Sequence, residues 1–184
     1  MRFKSTNLTT GRTFSCKMKK VACGAKTKTG HSCRNKVVIG LKRCHLHRSV
    51  KIAQSTIPRA GKGVFAKRDY RKGERIGYYR GDVLSTSQHN RRYGSAQRDH
   101  APYSLQGSKT KIIDASCTRS TMSMINGTRL KKDANAVFRG RMQSKDTGKM
   151  PVRAIRPIKK GDEVFVHYGA AYFRTAENAR HSTR

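Results

Sequence analysis

Three cysteines and a histidine stand at the spacing of a metal site: Cys23, Cys33, Cys44 and His47, written C-x9-C-x10-C-x2-H. Three thiolates and an imidazole satisfy tetrahedral zinc, and the closing C-x2-H brings two ligands into a single turn. Four protein ligands leave no open coordination position. The expectation is therefore a structural Zn2+ that folds a segment too short and hydrophilic to fold by apolar burial. Cys16, His31 and His45 are substitute ligands that spacing alone leaves open. Lys26, Lys28, Arg34, Lys36, Lys42, Arg43 and Arg48 surround the set and would face phosphates, so this is a binding module and not a catalyst. A second candidate is Gly61-Lys62-Gly63, where two residues without a Cβ let backbone lie close to a ligand.

The charge balance bounds what such residues can serve. The chain has 184 residues, with 42 Lys and Arg against 10 Asp and Glu, a formal +32. No acidic residue precedes Asp69, whereas 18 basic ones do. A surface of this kind repels itself and is tolerable beside a polyanion, so nucleic acid is the expected partner, DNA and RNA alike. No amphipathic basic helix and no apolar run of about 18 residues is present, which argues against a membrane partner or span. Met1–Thr10 lacks the apolar core of a secretory signal. The expected location is intracellular: the nucleus, or a nucleic-acid-containing assembly or particle. In a reducing compartment the five cysteines suggest metal or core roles before disulfides, and Cys117 reads as a small buried hydrophobe.

The elements that must position these residues change character along the chain. Residues 1–15 read as a basic polar arm and 16–48 as the zinc-binding module. Short β-branched or aromatic runs follow: VFA at 64–66, ERIGYY at 74–79, KIIDA at 111–115, VRAI at 152–155 and EVFVHYG at 163–169. Turn signals at Lys72-Gly73, Arg80-Gly81-Asp82 and Lys160-Gly161-Asp162 separate them. Ser85–Tyr93 can start a short helix with Ser85 or Ser87 as its cap. Residues 139–149 read as a loop, and 174–184 as a polar tail. The predicted class is β-rich α+β, with many short strands and few helices.

Two resemblances sharpen this reading. The cysteine–histidine spacing resembles the small WRC zinc motif, without its tryptophan. Residues 52–173 resemble the SET domain of protein-lysine methyltransferases. STIPRAGKGVFA (55–66) looks like the opening motif, and YRKGERIGYYRGDVL (70–84) like the segment that follows it. KIIDAS (111–116) resembles the I-D-A strand, and Asn126 stands where the asparagine of "R-F-I-N-H-S" belongs. AIRPIKKGDEVFVHYGAAYF (154–173) matches the closing motif. Five motifs in family order over most of the chain are a specific signature.

The resemblance implies a β-clip of small sheets with a threaded C-terminal segment, and S-adenosyl-L-methionine as cofactor. Gly61, Lys62, Gly63, Asn126, Gly127 and Tyr168 would hold the cofactor. Tyr168 matches the catalytic tyrosine, which aligns the lysine amine, with Tyr103 as a second tyrosine of the channel. Tyr78 and Tyr79 read as core. The implied substrate is a lysine of a histone or other basic protein, reached on nucleosomes through bound DNA. Two departures stand out: Ser123 replaces the arginine and Gly127 the histidine of the asparagine motif, with Asn135 as a candidate second asparagine. With the net charge, they keep open a different class of function. In that alternative a catalytically weakened SET fold serves as a basic structural or nucleic-acid-binding part of a large assembly. The sequence fixes no oligomeric state.

Overall fold

The computed structural model describes residues 2–7, 10–18, 20–38, 43–44, 46, 48–94, 103–139 and 148–169. Among them the chain begins β1 (Arg2–Thr6), β2 (Thr13–Lys17), β3 (Lys20–Ala22) and β4 (Lys36–Val38). It continues β5 (Val50–Gln54), β6 (Lys62–Ala66), β7 (Arg75–Arg80) and β8 (Asp82–Ser85) into helix α1 (Thr86–Tyr93). After α1 come β9 (Ser104–Gln106), β10 (Lys111–Asp114), β11 (Asn126–Thr128), β12 (Ala136–Phe138), β13 (Lys149–Ala154) and β14 (Glu163–His167). Among the described residues, many short strands and one α-helix are the β-rich class that the sequence predicts. None of the described helices is long and apolar enough to cross a membrane.

The chain divides into two compact units. The first draws on Met1–His47, Tyr79–Ser123 and Arg141–Met150, the second on Arg48–Tyr78, Met124–Gly140 and Pro151–Arg184. In the first, β8, β10 and β9 form an antiparallel sheet, and α1 starts on a capping box. Ser85 accepts from the Gln88 backbone N–H while the Gln88 side chain accepts from the Ser85 N–H, satisfying donors that a helix start leaves open. Asp114 is fully buried and accepts from Arg92 and the Tyr93 hydroxyl, each at 2.8 Å. Burial first, and the Asp114 charge second, raise the Tyr93 hydroxyl above its ordinary range.

Where composition predicts a polar arm, β1 and β2 pair as a hairpin, with Phe3 opposite Cys16 and Ser5 opposite Phe14. Strand alternation turns Phe3, Ser5, Phe14 and Cys16 inward and exposes Arg2, Lys4, Ser15 and Lys17. The hairpin is fixed to α1 by Asn7, which is buried and donates to the carbonyls of Asn90 and Arg91 at 3.1 and 3.0 Å. Cys16 also meets Cys117, and the two form a disulfide with Cα atoms 5.9 Å apart. This corrects two expectations. Cys117 is not a free core thiol and Cys16 is not a spare metal ligand, because inward-facing Cys16 finds a thiol partner 101 residues away that local pattern cannot reveal.

The second unit is built on a sheet ordered β5-β6-β14-β12-β13-β7, with β11 also paired to β14. Val64, Phe65 and Ala66 bury apolar side chains on both faces of β6, whereas in β14 Val164 and Val166 share one buried face and Glu163 is buried on the other. β13 alternates instead, burying Met150, Val152 and Ala154. β14 is the hub, antiparallel to β6 and parallel to β11 and β12. Asn135 ties it down, donating to the Glu163 carbonyl at 2.7 Å and accepting from the Phe165 N–H at 2.8 Å. Asn135 therefore serves the backbone of β14.

Candidate cofactor cleft and metal centre

The candidate cofactor residues gather in the second unit because of strand register. Parallel pairing sets Asn126 opposite Phe165 and Gly127 opposite Val166, so the asparagine motif lies along the closing motif. Antiparallel pairing sets Glu163 opposite Phe65, bringing the end of the Gly61-Lys62-Gly63 turn to the same place. At this junction the Glu163 carboxylate is buried and accepts four kinds of donor. These are the Ser55 hydroxyl (2.8 Å), the Thr56 N–H (2.6 Å), the Thr56 hydroxyl (2.7 Å) and the Asn126 amide (3.1 Å). The Asn126 amide also lies 2.9 Å from the Ser55 hydroxyl and 3.3 Å from the Lys62 carbonyl.

The two glycines of the triplet have different causes, space at Gly63 and backbone conformation at Gly61. A Cβ on Gly63 would fall 1.9 Å from the Glu163 carboxylate oxygen, so Gly63 makes room for that buried group. Gly61 has φ of +69°, which suits glycine, and a Cβ there would meet nothing within 4 Å. The turn thus leaves its main chain open on the Gly61 side, a cradle that fits a bound cofactor. Gly127 has its own cause: a Cβ would sit 2.2 Å from Cδ2 of Tyr168, whose ring covers it. The Tyr168 hydroxyl donates to the Ile125 carbonyl, and the residue is 36% exposed. Lys62 is exposed.

Gly61, Lys62, Gly63, Asn126, Gly127 and Tyr168 therefore share one unit. Tyr103 belongs to the other, where the Arg119 guanidinium lies 3.6 Å from its ring centroid and Phe3 meets it edge-on. Its carbonyl accepts from the hydroxyl of buried Tyr79, which is the core role expected of Tyr79. Sequence reasoning missed Glu163 as the organiser of the cleft. The available signal was a carboxylate inside an otherwise apolar strand, E-V-F-V.

The metal candidates meet in the first unit. The β3–β4 ladder continues past Cys23, whose N–H donates to Asn35, and past Cys33, whose N–H donates to Ala25. Both cysteines therefore point from one ribbon toward Cys44. The three sulfur atoms lie within 4.8 Å of one another, all buried, with Cys33 and Cys44 sulfurs 3.9 Å apart. Zinc with bonds of about 2.3 Å places tetrahedral sulfurs about 3.8 Å apart, so the trio fits the ion. The Cys33 thiol is raised above its ordinary range. The Asn35 N–H pulls it down, but burial and the Cys44 and Cys23 thiols outweigh that pull. His47, His45 and Lys42 lie outside the described residues, and His31 is exposed near the ribbon's tip.

Comparison with known proteins agrees with this geometry. The family model of the SET domain matches residues 61–169, more than half of the chain. No curated protein matches. Among solved structures, the polycomb repressive complex 2 of Chaetomium thermophilum is similar at 25% identity, with a TM-score of 0.57, over 66% of this chain and 15% of that one. A structure of an active polycomb repressive complex 2 in the stimulated state is similar at 25% identity and a TM-score of 0.56, with the same shares. A third, the Chaetomium complex in an autoinhibited conformation bound to S-adenosylmethionine, shares the fold at 24% identity and a TM-score of 0.57, again over 66% and 15%. This chain thus corresponds to a small part of those much longer proteins. From the ordered motifs, the β11–β14 pairing and the family match, the chain belongs to the SET domain family, whose fold is that of protein-lysine methyltransferases.

Proposed function

We propose that the chain is an S-adenosylmethionine-dependent protein-lysine N-methyltransferase whose N-terminal zinc-stabilised module draws nucleic acid. The observation that carries the reading is Asn126. Its amide spans the glycine turn and buried Glu163, while the next residue seats the Tyr168 ring. Gly61, Lys62, Gly63, Asn126, Gly127 and the Tyr168 ring would hold the cofactor, which when bound supplies an electrophilic methyl group. Methyl transfer to an amine asks of a protein mainly alignment, exclusion of water and a neutral lysine. Tyr168 would align the amine, its hydroxyl being held in place by the Ile125 carbonyl. Tyr103 is proposed as the second aligning tyrosine on the family resemblance.

The domain plan proposed is a basic segment at 1–15, the zinc module at 16–48, the SET domain at 52–173 and a tail at 174–184. Cys23, Cys33 and Cys44, with His47 as the proposed fourth ligand, would hold Zn2+. On the family resemblance the proposed substrate is a lysine of a histone or other basic protein, and the proposed location the nucleus or a nucleic-acid-containing assembly or particle. A +32 chain would reach basic histones through nucleosomal DNA. The Gly127 departure weighs less toward a weakened scaffold, because the Tyr168 ring occupies the space that a side chain would need.

Calorimetric titration with S-adenosylmethionine tests the reading. The wild-type chain is expected to release or absorb binding heat, and Asn126→Ala to lose most of it. Absence of heat from the folded wild-type chain at high cofactor concentration overturns the enzyme reading in favour of the scaffold.

A further inference from the structure

The first unit contains a cleft of about 340 Å³ between the β1–β2 hairpin and α1, lined by Arg12, Phe14, Leu84, Gln88, Arg91 and Arg92. Among the described residues no acidic side chain lines it. Its walls are fixed to one another. Asn7 bonds the Asn90 and Arg91 carbonyls of α1, Phe14 meets Tyr93 edge-on at 6.2 Å, and the Cys16–Cys117 disulfide anchors β2. The three arginines differ in state. Arg92 is committed, paired with Asp114 at 2.8 Å and laid over the Phe14 ring at 4.4 Å. Arg12 and Arg91 are exposed, and neither forms an ion pair among the described residues.

Two unpaired guanidiniums beside an apolar wall define the ligand chemistry. A guanidinium matches a phosphate with parallel N–H bonds. The flat Phe14–Arg92 stack, with Leu84 beside it, suits the face of a base, and the Gln88 amide can pair with a base edge. Two carbonyls of the last helical turn, Asn90 and Arg91, already accept from Asn7, and Asn90 also from the Gly94 N–H, which lessens the repulsion of a phosphate there. The cleft volume lies at the lower end of small-ligand pockets, which run from about 300 to 1,000 Å³. A recess of that size admits a single nucleotide, whereas a duplex keeps its bases inside and offers a convex backbone. The cationic track continues along the hairpin. Its exposed face sets Arg2 directly opposite Lys17, a like-charge pair that is unfavourable unless an anion lies across it.

We propose that this cleft binds one nucleotide of a single-stranded nucleic acid, with its phosphate on Arg12 and Arg91 and its base on the Phe14–Arg92 wall. The proposal rests on the nucleic-acid part of the function above and not on methyl transfer. It assigns single strands to a site outside the zinc module.

The test is fluorescence anisotropy of the full chain with labelled oligothymidylate, oligouridylate and a duplex of equal length, across a salt series. Arg12→Ala/Arg91→Ala is expected to weaken single-strand binding about tenfold and to make the salt slope shallower by about 0.7, one phosphate contact. Its duplex affinity is expected to change far less. Phe14→Leu keeps the charge and is expected to cost single strands about tenfold, within the range of one base–aromatic stack. Lys26→Ala/Lys28→Ala, the charge control, is expected to weaken duplex and single strand alike. Equal loss on both ligands from the arginine pair, or no loss, overturns the proposal. If the wild-type chain binds duplex and not single strands, the cleft proposal falls while the broader nucleic-acid reading stands. If it binds neither, both fall.

Discussion

Gly127 owes its missing side chain to Tyr168, whose ring fills the position that a Cβ would take. Gly127→Ala must therefore push the ring aside. Because Tyr168 is 36% exposed, the ring has room to move, and the melting temperature should change little. Displacing a positioning group by about 1 Å can cost about 100-fold in rate, so methyl transfer by Gly127→Ala should fall by between about 10- and 100-fold. Unchanged turnover would detach Gly127 from the chemistry. Glu163 carries the complementary prediction. In Glu163→Gln an N–H2 group faces either the Thr56 N–H or the Asn126 N–H2, which have only donors to offer there. A buried donor left without an acceptor costs about 1–3 kcal/mol, readable as a lower urea midpoint. Asn126 loses its anchor in the same variant, so cofactor affinity should fall as well. A variant with wild-type midpoint and wild-type cofactor heat would contradict that role.

Elements that the sequence announces are those whose own residues hold them. The Ser85–Gln88 capping box marks α1, and the apolar runs of β6, β10 and β14 mark buried strands. The β1–β2 hairpin was not legible, because Arg2–Thr6 and Thr13–Lys17 carry only Phe3 and Phe14 as apolar signal and depend on a distant disulfide. β11 was not legible either. Asn-Gly-Thr has little strand propensity, and its parallel partner β14 holds it extended. In the cleft, ordered motifs pointed to Gly61, Asn126 and Tyr168, whereas Glu163 became visible only when register placed it against Gly63. At this scale the proposed zinc would be what holds the β3–β4 ribbon. Among the described residues, Val37 and Ala25 are the apolar side chains packed with the three cysteines. Elemental analysis should find zinc in the purified chain, and Cys33→Ser should lose it. Chelation should then speed amide exchange across residues 20–38, since metal-binding energy is folding energy in such modules. A ribbon that keeps its protection without metal would contradict the site.

For the molecule as a whole, +32 is a large self-repulsion that something must offset. The Cys16–Cys117 disulfide contributes by restricting the unfolded chain across 101 residues. Loop-closure entropy puts that contribution at up to about 5 kcal/mol, with native strain reducing it. Reductant should lower the urea midpoint of the wild-type chain and leave Cys16→Ser unaffected. Equal sensitivity in both would show that the stability resides elsewhere. Polyanions should offset the same repulsion, which joins the charge of the chain to the substrate proposed for it: a basic protein presented on DNA. Transfer of a labelled methyl group from S-adenosylmethionine to histones, free and in nucleosomes, tests that account most directly. The account predicts label on lysine, stronger on nucleosomes, and loss of label in Tyr168→Phe with cofactor heat retained. Equal labelling by Tyr168→Phe, or none by a wild-type chain that binds the cofactor, would contradict it.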